Sequence, residues 1–124
     1  MISYSSLKSL LLSNIAEIRY VRRLPTQQKG NTRRMWCTNS VKLLNSFNGI
    51  NILNYRVPKV MPKFNPNEKN IIITWDILMQ DFRCVNMDSC DLLQSMPDDD
   101  KFWEYFNENI YVMSTQQKIS FMQS

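Results

Sequence analysis

The chain has 124 residues, with 15 basic and 11 acidic side chains, no histidine, two glycines and three cysteines. Its 44% hydrophobic content is enough for one domain with a core, and 21% charge argues against wholesale disorder. Without histidine the commonest general base and metal ligand are missing, and Gly30 and Gly49 cannot build a glycine-rich phosphate loop, so nucleotide-phosphate enzymes and zinc sites are disfavoured.

The expectation is therefore a single domain over residues 1–124, with no catalytic residues, no metal and no cofactor. Cys37, Cys84 and Cys90 show no CxxC spacing. An odd thiol count without a signal peptide fits a reducing cytoplasm. No apolar run approaches the ~20 residues of a membrane span, so no membrane partner is expected.

In chain order, Tyr4, Leu7, Leu10 and Leu11 recur at helical spacing behind Ser3 and Ser5, which predicts a short leader helix over 3–13. Residues 15–23 alternate, with Ala16, Ile18 and Tyr20 on one side and Glu17, Arg19 and Val21 on the other. They pair as a hairpin with residues 33–38 across a basic loop. Residues 40–47 read as helical turns after Ser40, and 48–54 as a short strand through Ile50 and Ile52. Pro58, Pro62 and Pro66 make 56–70 (RVPKVMPKFNPNEKN) the longest irregular segment, and long loops often carry function. Residues 70–77 (NIIITWDI) are the clearest strand, returning through 82–87 after a turn. Asp81 is expected to order that turn, and Asp88 to cap a helical turn after it. Residues 98–113 predict a helix, with Asp98, Asp99 and Asp100 at its positive end and a Phe102, Phe106, Ile110 stripe facing the core. The last ten residues form either a docked element or a frayed end. Four or five strands with flanking helices predict a mainly β, α+β domain: a small antiparallel SH3-like or Sm-like barrel over 1–97, then an acidic, aromatic C-terminal helix and tail over 98–124.

Charge is split along the chain. Residues 1–69 hold twelve basic and two acidic side chains, whereas residues 70–124 hold three basic and nine acidic. Such a dipole steers an anionic partner or pairs its own two halves.

The runs "LLLSNIAEIRY…RRMWCTN", "LLNS…LNYRVP" and "NIIITWDILMQDFRCVN" resemble a tailed-phage, WYL-like family with an Sm-like SH3 β-barrel. The matching positions are Arg34, Met35, Cys37 and Thr38, then Trp75, Asp76, Phe82, Arg83, Val85 and Asn86. Trp36 stands where the family pattern has arginine, the loop from Leu53 to Lys69 is longer, and the acidic helix lies outside the resemblance. The resemblance implies a phage-encoded accessory protein of the host bacterial cytoplasm and assigns no activity.

Two partner classes follow. The first is a host protein, from the transcription apparatus or a defence system, modulated without catalysis. The second is nucleic acid, bound through the basic half by Arg19, Arg22, Arg23, Arg33, Arg34, Lys59 and Lys63, with Tyr20 and Trp36 stacking on bases. On a continued strand Arg19 and Arg23 share one face and Arg22 takes the other. The bland alternative is a charged sheet edge that resists aggregation. Trp75, Asp76 and Arg83 form a hairpin motif in which Asp76 and Arg83 face each other as a cross-strand ion pair. The acidic helix either docks a basic protein surface or folds onto the protein's own basic half. A homo-oligomer through strand edges stays open.

Overall fold

A computed structural model describes residues 1–23, 30–58 and 62–124. The architecture is α+β: helix α1 (Tyr4–Leu11) leads into a five-stranded antiparallel sheet with the order β4-β3-β2-β1-β5, and the C-terminal segment packs back as helices. Among the described residues no helix is long and apolar enough to cross a membrane.

Helix α1 starts where the Ser3 hydroxyl accepts from the Ser6 amide, and it buries Leu7 and Leu11. Strand β1 (Asn14–Val21) pairs on one side with β2 (Thr32–Thr38), Tyr20 opposite Arg33 and Arg19 opposite Arg34. Strand β3 (Ile71–Asp76) pairs along its length with β4 (Asp81–Asn86) but meets β2 only at Cys37–Asp76 and Thr38–Trp75. The period-2 alternation of side chains then sorts two cores onto the two faces of the sheet. Ala16, Ile18, Tyr20, Met35, Cys37, Ile72 and Val85 fill one with α1. Ile15, Trp36, Trp75, Leu43, Leu53, Phe102 and Phe106 fill the other.

Several expectations change. Residues 48–54 are not a strand: helix α3 (Phe47–Asn51) follows α2 (Val41–Leu44), capped by Ser46 and Ser40. Gly49 packs directly on the carbonyls of Leu43 and Leu44, where a Cβ would collide, so this close approach of two short helices needs glycine. The serine caps outweigh the β-branched isoleucines there. A fifth strand, β5 (Cys90–Pro97), lies where no element was read. It is an edge strand, exposed at most positions and irregular in register opposite Glu17 and Ile18, so it lacks the alternation that marks a half-buried strand.

Asp76 rather than Asp81 orders the β3–β4 turn: its Oδ1 accepts from the Leu78 and Met79 amides at 3.0 and 3.1 Å. Asn86 rather than Asp88 caps the 3-10 turn Met87–Ser89, accepting from the Asp88 amide. The acidic helix begins behind Asp99 as α4 (Asp100–Tyr105) and widens into a π turn (Phe106–Ile110), yet it buries the expected Phe102, Phe106 and Ile110 stripe. The tail is a docked helix, α5 (Thr115–Gln123), with a reciprocal Ser114–Gln117 capping box.

Candidate functional site

At the end of β1 the strand alternation lapses. Beyond Val21 the backbone is tied into the connection by hydrogen bonds from the Arg22 amide to the Asn31 carbonyl and from the Gly30 amide to the Arg22 carbonyl, both 2.9 Å. Gly30 sits at φ 89°, a conformation that favours glycine. Arg22 and Arg23 therefore do not divide between faces as a continued strand requires; both turn toward one cleft.

Side chains pull the far edge of the sheet toward this point. Asn86 of β4 donates to the Val21 carbonyl at 3.0 Å. Arg23 donates to the Lys69 carbonyl at 2.8 Å and pairs with Asp88 at 2.6 Å, while Asn70 holds the other Asp88 oxygen. These bonds, from Asn70 first and Arg23 second, hold the Asp88 carboxyl below its ordinary range.

The space so framed is a cleft of about 480 Å³. Arg22, Arg23, Arg33, Lys69 and Arg83 line it, and no acidic side chain does. Phe64 and Ile71 supply apolar wall, with Tyr20, Cys84 and Asn86 completing the lining. Burial first, then repulsion from Arg33, pulls the Arg22 guanidinium below its ordinary pKa, and Arg83 adds to this. Arg33 lies within hydrogen-bonding reach of the Tyr20 hydroxyl, whose pKa is raised by burial against the pull of Arg33 and Arg22.

Beneath this cluster lies Asp76, fully buried. Its Oδ2 is 3.8 Å from Arg83 Nε, beyond hydrogen-bond distance, and both atoms are buried without a hydrogen-bond partner. In register Asp76 opposes Asp81 and Arg83 opposes Thr74, so the expected pair is diagonal rather than directly opposed. Burial pushes the Asp76 carboxyl upward, opposed by the Met79 amide and Arg83. Arg83 also reaches Asp81 at 3.5 Å.

The remaining expected site residues lie elsewhere. Arg34, one residue from Arg33, points to the opposite face and pairs with Glu17 at 2.8 Å; Glu17 is 2% exposed. The ring of Phe121 from α5 stacks on this guanidinium at 4.6 Å. Arg19 reaches the Ser124 carbonyl at 3.5 Å. Trp36 is buried against Tyr105, ring centroids 5.2 Å apart, and presents no face to a base; Trp75 packs edge-on to Tyr55 and Phe82. Lys63 is exposed next to Phe64 without lining the cleft, and Lys59 lies outside the described residues.

Nor does the acidic helix neutralise the basic strands. Among the described residues, only Asp98 of the five acids at 98–108 pairs with a cation, Lys42 at 3.9 Å. What docks on β2 is the near-neutral α5.

Sequence reasoning missed Phe64, Lys69, Ile71 and Cys84 as cleft residues. The one signal was the length of the proline-punctuated loop that carries Phe64 and leads to Lys69.

The chain matches no family model, no curated protein and no solved structure. By its own geometry the chain is a small α+β domain with a cationic cleft at one end of its five-stranded antiparallel sheet.

Proposed function

We propose that the protein is a non-catalytic binding module whose ligand is single-stranded nucleic acid, held in the cationic cleft. One observation carries this reading: five basic side chains from four separate stretches converge on a single cleft whose lining has no carboxylate. Assembling like charges this way is unfavourable unless an anion offsets it, and arginine forks match phosphate oxygens bidentately. The concavity favours a flexible strand, since a duplex presents its phosphates on a broad convex surface.

The order β4-β3-β2-β1-β5, a leader helix before β1 and the 3-10 turn between β4 and β5 support an SH3-like or Sm-like barrel as the finer description. The resemblance to the tailed-phage family supports a role as a phage accessory protein acting in the host cytoplasm. A host protein as the partner draws no specific support from the cleft.

The test is fluorescence anisotropy of a labelled single strand titrated with the full chain at several salt concentrations. About four phosphate contacts predict a log–log slope near −3 for a single strand. Absence of binding at micromolar protein in low salt overturns the reading and leaves a protein partner as the main alternative.

A further inference from the structure

A cleft of about 480 Å³ falls in the roughly 300–1,000 Å³ range of sites that hold one small ligand, whereas single-strand binding folds cover about 4–16 nucleotides. A bound strand therefore runs on past the cleft, and the two sides of the cleft differ in charge. On the β4 side stand two carboxylates: Asp81, 3.5 Å from Arg83 and 2.8 Å from Arg56, and Asp88, 2.6 Å from Arg23. Phosphates leaving on that side meet negative charge.

On the β2 side the cleft adjoins a second pocket of about 560 Å³, and Arg22 and Arg33 line both. Gly30, Asn31, Thr32, Met122 and Gln123 complete the second pocket, and among the described residues no carboxylate lines it. Its walls come from two distant segments. Asn31 is fixed where the Arg22 amide donates to its carbonyl at 2.9 Å. Gln123 belongs to the last turn of α5, which Arg34 and Arg19 hold through the Ser124 hydroxyl and carbonyl at 3.2 and 3.5 Å. Asn31, Thr32 and Gln123 are exposed. Their amides and hydroxyl donate and accept the hydrogen bonds that base edges and sugars offer.

We infer that the second pocket is the next subsite on the path of a single strand: the strand passes from the Phe64 wall of the cleft over Arg33 and seats a following nucleotide between Asn31 and Gln123. The inference rests on the nucleic-acid reading above and gives the bound strand its direction across the sheet. The two subsites differ in kind. The cleft binds through charge, and the second pocket through neutral hydrogen bonds, so losses in the second pocket leave the salt slope alone.

The experiment uses a ladder of oligothymidylates, from the dinucleotide upward, competing against a labelled long strand for the full chain. Affinity should climb again once a strand is long enough to leave the cleft. Asn31→Ala with Gln123→Ala should weaken the long strand by about tenfold, the loss of two neutral hydrogen bonds, with the salt slope unchanged. Gln123→Glu places a carboxylate on the path and should weaken the long strand too. Both variants should bind the shortest strand that binds at all as the wild type does. The three side chains are exposed, and thermal melts by circular dichroism confirm that each variant is folded.

Long-strand binding that is unchanged in both variants, while Arg33→Ala weakens it, overturns the inference and leaves the proposed function standing. Equal weakening of short and long strands overturns it as well, because the two pockets would then hold the same nucleotide. If no strand binds the wild type, the inference and the proposed function both fall.

Discussion

Arg33 and Arg34 are neighbours in the chain and opposites in the structure. Arg34 lies on the face covered by α5, paired with the buried Glu17 and capped by the Phe121 ring; Gln94 adds longer bonds to the same carboxylate. Arg33 lies on the face that opens into the cleft, beside Arg22 and Arg83, with no carboxylate in ion-pair distance among the described residues. One basic run thus splits into a half covered by α5 and a half that lines the cleft. The cause is the two-residue period of the strand, which sends adjacent side chains to opposite faces. A cluster of cations on strands is therefore not one site: on the proposed reading, mutation changes stability on one face and affinity on the other.

The largest expected effect is on the covered face. Arg34→Ala leaves the Glu17 carboxylate buried with only the 3.4 Å bonds from Gln94. Stranding a buried charge typically costs about 3–5 kcal/mol. Arg34 is itself 31% exposed, which places this site at the lower end, about 3 kcal/mol. Urea unfolding measures it. A loss below half a kcal/mol would mean that water reaches the Glu17 carboxylate once Arg34 is gone. At a temperature where the variant stays folded, its nucleic-acid affinity should match the wild type.

Arg33→Ala should behave in the reverse way. Its stability should stay within about 0.5 kcal/mol, since relieving repulsion with Arg22 and Arg83 offsets the lost contact to Tyr20. Its affinity for the single strand should fall by about 1.5–3 kcal/mol, the range for a charged hydrogen bond. The salt slope should flatten by about 0.7 for one lost phosphate contact. The double variant Arg33→Ala, Arg34→Ala should flatten the slope no further than Arg33→Ala alone. A flattening of twice that size would place both arginines on the phosphates and remove the distinction between the two faces.

Smaller effects sharpen the comparison. Phe121→Ala removes the ring over Arg34 without touching its ion pair, and should cost about 0.5–1 kcal/mol in the same unfolding assay. The effect of pH on the cleft side has a definite sign. Asp76 titrates in the fold above its unfolded value of 3.8, so its ionised form weakens the fold. Its contribution to stability improves as pH falls through the raised folded value toward 3.8. Asp88 runs the other way: its stabilisation is present above 3.8 and is lost as pH falls through its lowered folded value. Asp76→Asn keeps an acceptor for the turn amides and removes the titration. Relative to it, the wild type should gain melting temperature on acidification from neutral pH toward about pH 4. A relative loss would show that Arg83 holds the charge more strongly than burial expels it.

Much of the fold was legible from local signals. NIIITWDI and FRCVNM carry β-branched and aromatic residues on both sides of a turn, and they form the longest paired ladder in the sheet apart from those of β1. The Phe102, Phe106, Ile110 stripe is core because four-residue spacing keeps those side chains on one helical face, even through the π turn. Strand β5 was not legible: an edge strand is held by backbone hydrogen bonds to β1, and backbone bonds leave no side-chain pattern.

By itself the sequence determined that no histidine or glycine-loop chemistry is available, that the basic charge sits in the first half, and which segments form β1 to β4 and the main helix. It determined these because composition and side-chain period are local properties. Only the tertiary structure decided what the basic residues do. Lys69, Arg83 and Phe64 are distant in sequence from Arg22 and Arg33, and they meet because Asn86 and Asp88 tie the end of β4 and its following turn to the end of β1. Arg34 and Trp36 looked equivalent to the cleft residues until the covering helices took them. Long-range convergence is set by how far the sheet curls and by which face a helix covers, and neither is written in the spacing of residues along one strand.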